Sequence, residues 1–231
     1  MKKLATILGL AAVVAMAAAP AFAANQVRIS QVYGGGGSAS AGPTYNVDYV
    51  ELFNSGGTAV NIGGWTIEYG SATGSWGSSG TNIFTFPVGT TIQPCKYLLV
   101  VSATPSAGGG ALGVTADFTF SIAASATSGK VGLFNAVNTN LACGSELAGT
   151  LVDKVAFGTA NCAEGTAVAA LSTTTGAVRN NGGMTDTDSN SADFTVTTNP
   201  VPHNSASAAN TACLATPTNN KTWGSLKSIY R

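Results

Sequence analysis

Apolar and polar positions alternate over short stretches along most of the chain, and glycine-rich punctuation separates the stretches. Residues 27–33 (Val27, Ile29 and Val32 apolar, Arg28, Ser30 and Gln31 polar) read as a first strand that stops at four consecutive glycines, 34–37. Residues 48–54 and 65–69 read as two further strands, with Asn54, Ser55, Gly56 and Gly57 and then Gly63 and Gly64 as turn signals between them. Side chains alternate faces along a strand, so Trp65, Ile67 and Tyr69 share one face while Thr66 and Glu68 share the other. Residues 83–86 make a short strand ended by Pro87, which has no N–H for a ladder. Residues 97–101 (Tyr97, Leu98, Leu99, Val100, Val101) form a continuous apolar run, the pattern of a strand buried on both faces. Residues 117–122, 130–135 and 151–158 supply three more strands, and no segment after residue 23 has a helical period or an internal repeat. Short strands at this spacing predict an all-β sandwich. Trp65 is assigned to its structural core, where truncating a buried tryptophan costs about 3–5 kcal/mol. Trp76, in the Gly/Ser/Thr-rich stretch 70–82, is read as a loop residue available for stacking contacts.

The first 23 residues stand apart. Lys2 and Lys3 precede an apolar run, and Ala21, Phe22 and Ala23 fit a signal-peptidase site, so residues 1–23 are expected to be a cleaved export signal. No cysteine follows the predicted cut, which argues against a lipoprotein. Removing 23 of 231 residues leaves 208, with eight basic and ten acidic side chains, a net charge of −2. Only 9% of the chain is charged. That surface offers little to a phosphate backbone, so no nucleic-acid partner is expected. No second apolar run reaches the ~20 residues of a membrane-spanning helix. The expected location is outside the cytoplasm: extracellular, at the cell surface, or periplasmic.

Export makes the four cysteines candidates for disulfides. Of the three possible pairings, Cys143 with Cys162 is favoured because they are close and flank a strand, which leaves Cys95 for Cys213. A loop of the first size contributes roughly 3 kcal/mol. Zinc is disfavoured, since there is no Cys-x-x-Cys and His203 is the only histidine.

Six of these stretches, in this order, resemble the lamin tail domain: the strand at 27–33, Asp48 to Asn54, Gly64 to Ile67, the strand at Tyr97, residues 130–135 and residues 152–158. The resemblance implies an immunoglobulin-like β-sandwich over residues 24–158, here with Gly/Ser-rich loops. Pro94-Cys95-Lys96 departs from the Pro-Gly that the family usually carries there, and a different turn is expected at Cys95. Residues 159–208 resemble an extension of exported bacterial members, packing on the sandwich; relatives often have arginine at the place of His203. Residues 209–231 read as a Thr/Asn/Pro spacer and a short tail ending in Trp223, Tyr230 and Arg231, either a sorting signal or a last element docked on the core.

Candidate chemistry is sparse. Asp186, Asp188, Asn190 and Asp193 alternate oxygen ligands like the opening of a calcium loop, without the glycine and distal glutamate of an EF-hand. The competing reading is a local turn whose carboxylates bond backbone amides. Asp48 and Glu51 are three apart on one strand and face opposite sides, which argues against them as a converging acid–base pair. His203 accompanies no nucleophile-elbow motif, and residues 34–37 lack the Lys-Ser/Thr ending of a phosphate loop. The expectation is therefore a non-catalytic exported module without a cofactor, binding a protein or a cell-surface glycan. The alternatives are a calcium- or carbohydrate-dependent binder using the Trp76 loop and the Asp186 cluster, or a self-assembling surface subunit.

Overall fold

The computed structural model describes residues 26–38, 42–78 and 82–214. The predicted signal 1–23 and the tail around Trp223 lie outside the described residues. Among the described residues, twelve strands and three short helical turns follow one another: β1 (Val27–Tyr33), β2 (Tyr49–Asn54), β3 (Val60–Asn61), β4 (Thr66–Ser71), β5 (Ile83–Thr85), β6 (Thr91–Ile92), β7 (Tyr97–Ser102), β8 (Phe118–Phe120), β9 (Gly129–Phe134), β10 (Leu151–Phe157), β11 (Thr175–Arg179), α1 (Asn180–Gly183), α2 (Asn190–Asp193), β12 (Phe194–Thr198) and α3 (Thr211–Leu214).

Two sheets make the sandwich. One runs β12-β11-β1-β2-β7-β8 and the other β10-β9-β4-β5, with β3 and β6 forming a separate two-stranded piece. All pairings are antiparallel except β7 with β8. Alternation fixes which side chains face inward. Ile29, Val50, Leu52, Leu98 and Val100 from the larger sheet meet Ile67, Val131, Leu133, Val155 and Phe157 from the smaller one in a single core. A register shift between Ile29 and Gln31 places Val27, Ile29 and Val32 in that core although their spacing changes, and turns Gln31 outward.

The outer faces are covered as well. Tyr33, Tyr49, Leu99 and Val101 form a second cluster under Tyr45, Leu112, Val114 and Ala116, so β1, β2 and most of β7 are buried on both sides. Over the smaller sheet, Trp76 closes the outer face. Its ring meets Phe134 edge-on at 5.4 Å, Lys130 Nζ lies 5.3 Å above it, and its backbone N–H donates to Leu141 O at 2.9 Å.

The structure exchanges the expected roles of two tryptophans. Trp76 is fully buried, whereas Trp65, placed in the core from its sequence pattern, is half-buried and packs against the core from its rim. The cause is position: Trp65 precedes β4, while Trp76 is pulled inward by a bond from Nε1 to Glu146 Oε1 at 2.7 Å. Cys95 also departs from expectation. It does not take a different turn but adopts φ 57°, the left-handed backbone that a glycine would supply. Finally, the extension contributes strands that the sequence pattern did not mark. β11 and β12 pair with each other and β11 pairs with β1, lengthening the larger sheet.

Candidate functional site

Cys95 is bonded to Cys213 and Cys143 to Cys162. Each bridge pins a cover: Cys213 holds α3, just past the extension, beside the turn before β7, and Cys162 ties the start of the extension to the loop that carries Glu146. Lys130 Nζ strengthens the second junction by donating to Gly74 O and Asn161 Oδ1, both at 2.5 Å.

Among the described residues, charged side chains gather at the seam between sandwich and extension. Arg179, at the end of β11, is 1% exposed. Its Nη2 donates to Asp153 Oδ2 at 2.7 Å, its Nε to Ile29 O at 2.8 Å, and its Nη1 to Thr185 O at 3.1 Å. Asp186 lies 3.4 Å and Asp193 3.8 Å from Nη1, and Arg28 Nη2 lies 3.5 Å from Asp186. The Asp153 carboxylate is extracted from water, which raises its pKa; Arg179 and the N–H of Ile29 oppose that rise. Glu164 is pushed up to about 8 by burial and by the nearby charge of Asp153.

This arrangement locates the four calcium candidates. Asp193 is fully buried and accepts from Thr187 N at 3.0 Å, Thr187 Oγ1 at 2.7 Å and Ser189 N at 3.3 Å. Asn190 bonds Ala156 N and Lys154 O, tying α2 to β10. Asp186 faces the two arginines, and Asp188 holds a left-handed φ of 57°. The segment is thus a turn stapled by its own carboxylate, with arginines beside two of the four groups. Among the described residues, the one cluster of three metal-type side chains is Cys143, Glu146 and Cys162, whose sulfurs form a disulfide.

Two carboxylates leave β2 and its approach on opposite faces. Asp48 Oδ1 accepts from Gly36 N at 2.7 Å and Oδ2 from Ala124 N at 3.0 Å, joining two loops at one rim of a cavity of about 450 Å³. Burial pushes its pKa up to about 6 against those bonds. Only glycine fits at position 36, where a Cβ would stand 2.1 Å from the carbonyl carbon of Val47. On the other face, Glu51 accepts from Ser30 Oγ at 2.6 Å, Gln31 Nε2 at 3.2 Å and His203 N at 2.5 Å. His203 Nδ1 lies 3.1 Å from the same carboxylate, and its ring stacks on Tyr97 at 4.5 Å. A cavity of about 280 Å³ beside this pair is lined by Gln31, Glu51, Tyr97, Arg179 and His203 among others. Sequence reading singled out Glu51 and His203 separately; their 152-residue separation concealed the pair.

The two packed sheets, with an antiparallel core of β1, β2, β4, β7, β9 and β10, define an immunoglobulin-like β-sandwich. The lamin tail domain profile matches residues 20–159, more than half of the chain, and the chain belongs to that family. No curated protein sequence matches it. A solved structure of a DUF4876 family protein from Bacteroides thetaiotaomicron VPI-5482 is similar, with a TM-score of 0.52 and 12% identity over 78% of this chain and 72% of that one. At such identity the likeness is one of fold. No helix among the described residues is long and apolar enough to cross a membrane.

Proposed function

We propose that the chain is an exported, non-catalytic lamin-tail module that binds a protein or glycan outside the cytoplasm and so serves adhesion or surface targeting. The observation that carries this reading is how its acid, base and guanidinium groups are employed. Glu51, His203, Asp153 and Arg179 hold backbone and one another across the seam, an arrangement suited to fixing a shape and not to meeting a reacting bond. The two disulfides agree with an oxidising compartment. Of the alternatives, the Trp76 loop loses its support as a glycan platform because that ring is buried.

The test is direct. The disulfide-intact protein should be retained, saturably, by cell-envelope material from the producing cells, while leaving phosphoester and peptide substrates unchanged. Turnover of either substrate class without retention would overturn the reading.

A further inference from the structure

The run 199–210 crosses the outer face of the larger sheet, tied near its start by Gln31 Nε2 donating to Val201 O and near its end by Asn210 N donating to Cys95 O, and Glu51 fastens it between them at His203. Glu51 is 1% exposed on a central strand, so its carboxylate depends on protein donors. The charged and titratable groups around it are otherwise engaged. Arg179 lines the same cavity, but its nitrogens serve Asp153, Ile29 O and Thr185 O. Lys96 Nζ donates to Ser207 O, and Asp117 accepts from Ser205 N and Oγ. The Tyr49 hydroxyl donates to Gln31 Oε1, and the Tyr97 hydroxyl to Gly182 O. Among the described residues His203 is thus the group placed to answer the charge of Glu51, and it can do so only when protonated.

We propose that Glu51 and His203 form a pH-operated latch that holds residues 199–210 against the sheet in acidic surroundings and loosens them as the medium becomes alkaline. A neutral imidazole gives Glu51 an ordinary hydrogen bond, whereas an imidazolium gives a charge-assisted one, roughly twice as strong. The bond from His203 N to Glu51 and those from Gln31 Nε2 to Val201 O and Asn204 Nδ2 to Thr115 O do not need a protonated imidazole, so the segment loosens at His203 without leaving. Supporting this, the pKa of His203 is raised above 6.5, chiefly by its hydrogen bond to Glu51, with burial opposing. A folded value above the unfolded one means stabilisation that is complete below about 6.5 and lost as pH rises through the folded value. Loosening would uncover the face of Tyr97 on which the imidazole stacks and open the cavity beside it.

The test uses the full exported chain with both disulfides intact. Because His203 is the only histidine, its imidazole can be titrated by NMR without assignment ambiguity, alongside amide exchange at about pH 5.5 and about pH 8.5, either side of the histidine range. Expected are a midpoint above that of an unstructured histidine peptide and, after correction for intrinsic rates, a loss of protection in the alkaline arm confined to 199–210. His203→Gln should abolish the difference between arms, and Glu51→Gln should bring the His203 midpoint down. A midpoint at or below the peptide's, or equal protection in both arms, would overturn the latch. The titration of the unaltered protein decides the matter even where a variant fails to fold.

Discussion

Arg179 and Asp153 meet at 2.7 Å across the seam, Nη2 donating to Oδ2, with the arginine side chain fully enclosed and the aspartate nearly so. The same Asp153 oxygen accepts from Ile29 N at 2.6 Å, so one carboxylate serves β1 and β11 together. Removing one partner of a buried pair leaves an uncompensated charge, at a cost of about 3–5 kcal/mol. Arg179→Met should lower stability to urea by that order. Adding Asp153→Leu should recover part of it, since the carboxylate bonded directly to the guanidinium is then gone, while Asp186 and Asp193 remain beside the vacated place. Equal losses from the single and double variants would show that the contact contributes little beyond packing.

The tryptophans separate in the same assay. Trp76→Ala removes a fully buried ring and the partner of Glu146, for an expected loss of about 3–5 kcal/mol. Trp65→Ala uncovers a half-buried rim and should cost clearly less. Fluorescence offers a second reading: an aqueous quencher should spare the emission that Trp76→Phe removes. A larger loss at Trp65 than at Trp76 would contradict the exchange of roles.

These residues also show what the sequence could and could not reveal. Alternation and apolar runs are local, so β1, β2, β4, β9 and β10, and β7 from its unbroken apolar run, could be read from windows of a few residues, and so could the opposed faces of Asp48 and Glu51. Trp76 sits among glycine and serine, and only Glu146, 70 residues away, draws it inward. β11 consists of Thr175, Gly176, Ala177, Val178 and Arg179, a composition with little strand preference of its own. It becomes a strand because β1 offers an edge and Asp153 accepts the arginine. Glu51 and His203 were each visible, but pairing across 152 residues leaves no periodic signal.

Cys95 carries both a bridge and a left-handed backbone, φ 57°, and the two can be tested apart. With Cys213→Ser as a common background, Cys95→Gly should be more stable than Cys95→Ser by roughly 1–2 kcal/mol, the cost of that conformation to a residue with a Cβ. Both should melt below the parent, because closing a long loop constrains the unfolded chain by about 4–5 kcal/mol. Equal stability of the two variants would mean that the turn relaxes once the bridge is cut.

The turn at Asp193 bears on calcium. Its oxygens are occupied by Thr187 and Ser189, and Asp186 faces Arg28 and Arg179. A cation there would have to displace those donors and approach two guanidinium groups. Melting curves in millimolar calcium and in chelator should therefore coincide, since a ligand specific for the native state raises its apparent stability. Asp193→Asn should lower the melting temperature equally in both. A calcium-dependent rise that Asp193→Asn abolishes would restore the metal.

Asp48 supplies the last expectation. Its folded pKa is about 6 against an ordinary 3.8, because burial outweighs the N–H groups of Gly36 and Ala124. A carboxyl group that holds its proton more tightly when folded favours the folded state at low pH, and that advantage declines as pH rises from about 4 to about 6. The decline should amount to no more than about 3 kcal/mol, at 1.36 kcal/mol per unit. Asp48→Asn keeps the size of the side chain and removes the titration, so the difference in stability between it and the parent should change across that window and level off above it. The His203 effect lies higher in pH and should survive the substitution, which keeps the two groups distinguishable. A parent-minus-variant difference independent of pH would mean that water reaches Asp48 through the adjoining cavity and that its proton is held no more tightly than in the unfolded chain.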